Sequence, residues 1–133
     1  MPRRTDSPPV LQLRKAFRFE AAHRLPRVPA GHPCGTLHGH SYRVELHLRG
    51  PLDPELGWVV DFGEVSRVAK PLIALLDHAC LNDLPGLENP TSEHLCVWLA
   101  DRLAPDLPTL VAVEVRETES SVARYDLPAG PRA

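Results

Sequence analysis

From His38 to Leu48 every second side chain (His38, His40, Tyr42, Val44, Leu46, Leu48) falls on one side of an extended backbone, and from Tyr42 on these alternate with Arg43, Glu45, His47 and Arg49. Alternation of that length predicts a half-buried β-strand. Its first two members are imidazoles about 6.5–7 Å apart at Cα, close enough to share one zinc ion at about 2.0–2.1 Å. His23 ends an earlier run of the same kind, in which Leu11, Leu13, Phe17, Phe19 and Ala21 hold the odd positions and Lys15 is the exception. It can supply a third nitrogen. Three histidines leave one corner of a tetrahedron open, as in catalytic zinc sites. The competing reading closes that corner with Cys34 and makes the ion structural, although closed sites favour more thiolates. If unligated, Cys34 is placed to take a proton from a substrate at the open corner, because a thiol beside a divalent cation loses its proton more readily.

The segment Ala22 to Leu37, rich in proline and glycine, reads as a long loop, and long loops in compact domains are usually functional. Gly50-Pro51 is expected to stop the second strand. From Gly63 the period changes: Val65, Val68, Ala69, Leu72, Ile73 and Leu76 follow one helix face, with a kink expected at Pro71. A second helix is expected to begin near Thr91-Ser92, capped by a hydroxyl and striped by Leu95, Trp98, Leu99 and Leu103. Leu110–Glu117 and Ser121–Asp126 read as third and fourth strands. The order ββααββ is α+β: a four-stranded antiparallel sheet with two helices on one face and two open edges. One domain is expected over residues 11–126, with flexible termini at 1–10 and 127–133.

Composition excludes more than it identifies. The net charge of -2 gives no reason to expect a nucleic-acid partner. No apolar run is long enough to span a membrane, and the N-terminal stretch lacks a signal peptide's apolar core. The three cysteines, at irregular spacings, suggest no disulfide framework, which fits a reducing cytoplasm.

Asp77-His78, directly after the first helix, can form a pair in which the carboxylate fixes the ring tautomer, although such pairs are common at helix ends. Glu117, at a strand end, could grip a guanidine-like edge through two hydrogen bonds or simply be a solvated turn residue. His32, His47 and His94 read as ordinary, and His47 has the opposite parity from His40. Cys80 and Cys96 read as small core residues.

Taken together, Phe17–Pro26, Cys34-Gly-Thr-Leu-His38-Gly-His40, Gly57–Phe62, Leu76-Asp-His78, Leu81–Glu93 and Glu117-Thr118 resemble the 6-pyruvoyltetrahydropterin synthase superfamily. The three residues between Cys34 and His38 match its 6-carboxy-5,6,7,8-tetrahydropterin synthase branch, of the queuosine precursor (7-deazapurine) pathway. Aldolase-like branches place a glutamate near the cysteine, and Cys34-Gly-Thr-Leu has none.

The resemblance implies the tunnelling (T-) fold and a zinc-dependent lyase. His23, His38 and His40 are the implied zinc ligands, Cys34 the proton acceptor and Asp77-His78 the paired acid. It also implies that Glu117 anchors a pterin and that Thr91, Ser92 and Glu93 help line the pterin pocket. The implied substrate is 7,8-dihydroneopterin triphosphate, with Arg14, Lys15, Arg24 and Arg27 candidates for its phosphates by charge alone. A homohexamer built as a dimer of trimers, with active sites between subunits, is implied as well. Two alternatives remain: a 6-pyruvoyltetrahydropterin synthase that stops after triphosphate elimination, and a zinc- or pterin-binding module without turnover.

Overall fold

The computed structural model describes residues 7–129; positions 1–6 and 130–133, parts of the expected flexible termini, lie outside the described residues. Strands β1 (Val10–His23) and β2 (His38–Pro51) form an antiparallel ladder along their whole length. The register places Phe19 opposite Tyr42, Ala21 opposite His40 and His23 opposite His38. The period-two reading of both strands is borne out: Phe19, Ala21, Tyr42, Val44, Leu46 and Leu48 are all buried in the core. Strand β1 takes in Ala22 and His23, which the sequence assigned to the start of the loop, and β2 runs past Leu48 to Pro51, so Gly50-Pro51 ends the strand from inside it. The loop between them carries a short 3-10 turn, Pro33–Gly35.

Helix α1 (Phe62–Leu76) starts on Asp61, whose carboxylate accepts the Gly63 N–H at 2.9 Å. The helix continues unbroken through Pro71, which sits on its exposed side, where the carbonyl left without its donor can turn to water. Helix α2 (Ser92–Leu103) is capped by Thr91, whose Oγ1 accepts the His94 N–H at 3.1 Å, and it buries Leu95, Trp98, Leu99 and Leu103. No helix among the described residues is long and apolar enough to cross a membrane.

The sheet corrects one expectation. It has five strands in the order β3-β1-β2-β4-β5 and is mixed, not four-stranded and antiparallel. The additional strand β3 is only Ala79–Cys80, which runs parallel to β1 beside Ala21 and Ala22. Two residues are too few to show a period. The strand forms because the chain turns sharply after α1: His78 adopts φ 59°, and its N–H donates to the Glu20 carbonyl. Strands β4 (Leu110–Thr118) and β5 (Ser121–Asp126) form the second hairpin, as expected. Both helices lie on the face that carries Phe19, Tyr42 and Val115, so the core is a single layer between helices and sheet.

Candidate metal and ligand site

Three imidazoles converge at the end of this core. His23 is the last residue of β1, and His38 and His40 open β2 with side chains on the same face. Each offers a ring nitrogen within 4.8 Å of the others'. The rings meet edge to face, with centroid separations of 4.6, 5.0 and 4.9 Å.

Hydrogen bonds on the far side of two rings decide what faces inward. His23 Nδ1 lies 2.9 Å from the Pro90 carbonyl oxygen and His38 Nδ1 lies 2.6 Å from the Thr36 carbonyl oxygen. A carbonyl only accepts, so each Nδ1 carries the proton and each Nε2 is left with a lone pair. Those two Nε2 atoms are 3.1 Å apart. His40 Nε2 is buried with no hydrogen-bond partner. Lone pairs at that distance repel unless a proton or a cation lies between them. Two imidazole nitrogens bound tetrahedrally at about 2.0–2.1 Å sit about 3.3–3.4 Å apart, close to what is found here. The donor set therefore fits a divalent cation of borderline softness, with imidazole ligands. Cys34 does not belong to the cluster of ligand atoms among the described residues, so the geometry gives no support to a closed four-ligand site.

Burial shifts the titration of His40 and Tyr42. His40 is held below the ordinary imidazole range, chiefly by burial; the charge of Glu117 opposes this, and His23 and His38 add to it. The Tyr42 hydroxyl, 3.1 Å from His23 Nδ1, is pushed far above the ordinary phenol range, first by burial and then by Glu117.

Glu117 connects this cluster to a cavity. Its Oε2 is 3.7 Å from His40 Nε2, and no arginine or lysine pairs with it among the described residues. A cavity of about 510 Å³ runs outward from it, lined by Leu25, Thr91, Ser92, Glu93, Val115 and the β5 side chains. The structure thus gathers four of the residues singled out from the sequence, Glu117, Thr91, Ser92 and Glu93, around one opening. The volume suits a small ligand, and an unneutralised carboxylate in the wall suits a guanidine-like edge.

The other candidates stand apart in the single chain. Asp77 Oδ2 and His78 Nδ1 do pair, at 3.0 Å, and Asp77 Oδ1 accepts the Glu20 N–H at 2.9 Å. The Glu20 N–H, and after it His78, hold the Asp77 carboxyl below its ordinary range. The His78 side chain is nonetheless 80% exposed and lines a different depression, with Glu20, Gly39, His40 and Ser41. Cys34 is half-buried in the 3-10 turn, its N–H donating to His32 Nδ1 and its carbonyl accepting the Leu25 N–H.

Sequence reasoning missed three features. The Pro90 carbonyl and the Tyr42 hydroxyl both hold His23. Asn82 also fixes the chain leaving His23, accepting the Arg24 N–H at 2.9 Å and donating to the Arg24 carbonyl at 2.7 Å. The third concerns His47, which is not ordinary: it is buried on the opposite face of the sheet, in a second group with Glu45 and Glu114. The only advance signal was the placement of polar side chains at the centre of the longest alternating run.

Comparison with known proteins gives the family and the fold. The chain is 42% identical to a 6-carboxy-5,6,7,8-tetrahydropterin synthase from Synechocystis sp., over 86% of this chain and 92% of that protein. A 6-carboxy-5,6,7,8-tetrahydropterin synthase from Bacillus subtilis is 31% identical over 86% of this chain and 84% of its own length. In fold, the chain matches the 6-pyruvoyl tetrahydropterin synthase of Caenorhabditis elegans with a TM-score of 0.85 at 24% identity, covering 93% of this chain and all (100%) of that one. The sequence profile described as 6-pyruvoyl tetrahydropterin synthase matches residues 12–128. The fold and the sequence together place this chain in the 6-pyruvoyl tetrahydropterin synthase family.

Proposed function

We propose that this chain is a zinc-dependent 6-carboxy-5,6,7,8-tetrahydropterin synthase. It converts 7,8-dihydroneopterin triphosphate to 6-carboxy-5,6,7,8-tetrahydropterin, acetaldehyde and triphosphate, a step toward queuosine. The observation that carries the reading is the convergence of three imidazole Nε2 atoms, two with tautomers set by backbone carbonyls and the third a buried orphan. The names of the Synechocystis and Bacillus relatives favour the carboxy branch, as do the three residues between Cys34 and His38.

His23, His38 and His40 hold the ion. When bound, zinc supplies Lewis acidity, which makes the side-chain hydroxyls of the pterin more acidic. Glu117 grips the aminopyrimidinone edge through two charge-assisted hydrogen bonds, and Thr91, Ser92 and Glu93 line the opening beside it. This anchoring fixes which side-chain carbon faces the acid/base groups. Cys34 takes the side-chain proton. His78, oriented through Nδ1 by Asp77, exchanges a proton on the other side. The dihydropterin ring supplies the reducing equivalents, so no organic redox cofactor is needed. The exposure of His78 in the single chain supports an active site completed by a second copy, as an assembly of trimers would provide.

Product analysis tests the reading. Purified protein with zinc and 7,8-dihydroneopterin triphosphate is expected to release acetaldehyde and 6-carboxytetrahydropterin in equal amounts. Triphosphate release with a pyruvoyl product and no acetaldehyde would assign the chain to the 6-pyruvoyl reaction. Zinc or pterin binding without any product would leave a binding module.

A further inference from the structure

We infer that Tyr42 is a positioning residue for the metal site: its hydroxyl and the Pro90 carbonyl form a two-oxygen clamp on the His23 Nδ1 edge, holding Nε2 toward the ion. The inference rests on the zinc reading given above and extends it to groups outside the ligand set.

The clamp follows from register and packing. Tyr42 lies two residues beyond His40 on the same face of β2, and pairs across the ladder with Phe19. Their rings stack at 4.8 Å with an interplanar angle of 6°, so Phe19 fixes the plane of the Tyr42 ring and with it the direction of the hydroxyl. That hydroxyl reaches His23 Nδ1 at 3.1 Å, while the Pro90 carbonyl oxygen reaches the same atom from the α2 side at 2.9 Å. His23 and Tyr42 are each only 1% exposed, so water does not replace either oxygen. An Nδ1–H facing two oxygens is held in one tautomer and one ring orientation. Pro90 also comes directly before Thr91, Ser92 and Glu93 in the cavity wall, so a single strap of chain builds both the ligand's support and the opening.

Partners of this kind typically change metal affinity about 10–100-fold. The test is a competition titration of the full chain with zinc against a chromophoric chelator, for the wild type and Tyr42→Phe. Phenylalanine keeps the stack on Phe19 and removes only the hydroxyl. The expected result is zinc binding weakened about 10–100-fold, with the circular dichroism of the metal-free variant unchanged. Equal affinity in the two proteins would overturn the clamp while leaving the zinc site standing. A wild type that takes up no zinc would instead overturn the metal reading itself. Should Tyr42→Phe fail to fold, imidazole ¹⁵N spectra of the zinc-loaded wild type decide. A slowly exchanging His23 Nδ1–H with cross-relaxation to the Tyr42 ring supports the clamp, and ligation of zinc through Nδ1 overturns it.

Discussion

Among the described residues the sheet carries two triads whose ligand atoms all lie within 4.8 Å of one another, and they stand on opposite faces: His23, His38 and His40 on the helix side, Glu45, His47 and Glu114 on the other. By proximity alone they are equivalent. Their surroundings are not. Around Glu45 stand Arg14 at 3.7 Å and Arg43 at 3.3 Å, and Arg124 donates to Glu114 at 2.7 Å. His47 Nε2 is 3.2 Å from the same Glu114 oxygen. Three guanidinium groups already neutralise these carboxylates, and a divalent cation would have to displace them or bear their repulsion. The histidine triad has no cationic side chain paired into it among the described residues, and its far-side carbonyls turn lone pairs inward. A metal centre is thus distinguished less by which ligands gather than by what has been arranged behind them.

The sharpest way to break this contrast is His38→Ala. We expect zinc content, measured by elemental analysis after dialysis, to fall from about one ion per chain to near none, since two imidazoles and water hold zinc far less tightly than three. Retention of a full complement would mean that the ion sits elsewhere. Next in size is Cys34→Ala. Turnover should drop about 10²–10⁴-fold, the usual contribution of a positioned acid or base, while zinc stays fully bound. Zinc loss in that variant would put the sulfur among the ligands.

How much of this contrast could be read from the sequence depends on the kind of group involved. Side-chain parity along β2 was legible, because period two assigns His38, His40 and Tyr42 to one face whatever the rest of the chain does. The helix faces and the Thr91 cap were legible for the same local reason. The groups behind the ligands were not. Pro90 acts through its carbonyl, which every residue possesses, from 67 positions away in the chain. Strand β3 owes its existence to a single positive φ at His78 and a hydrogen bond to Glu20. The polar triad depends on the register that sets Glu45 opposite Glu114, and on long arginine stems that cover it. Asp77 and His78 pair as their adjacency suggested, but their exposure, away from the cavity beside Glu117, follows from the turn after α1 and has no local signature.

The opposite face offers a milder test. His47→Ala and Glu114→Gln should both leave zinc at about one ion per chain. Glu114→Gln removes the carboxylate shared by Arg124 and His47, and should cost about 1–2 kcal/mol in urea unfolding, discounted because Arg124 is partly exposed. A wild type that binds a second zinc, lost in either variant, would erase the distinction drawn between the two faces.

The smallest effect expected is a difference in acid sensitivity, and it isolates burial from metal binding. His40 titrates in the folded protein below its ordinary value of 6.5, because burial, and then His23 and His38, oppose its charge more than Glu117 favours it. Below that value the unfolded chain binds more protons than the folded one, so stability rises with pH across the interval. The contribution of neutral His40 is therefore complete above the unfolded value and is lost as pH falls through the folded one. Metal-free protein should melt at progressively lower temperature from about pH 7 to about pH 5, and His40→Gln should flatten that slope. Zinc should steepen it in the wild type, since each proton taken up by the triad displaces a ligand. An unchanged slope in metal-free His40→Gln would show that the triad is not strained by its own burial, and that the three lone pairs tolerate one another without an ion.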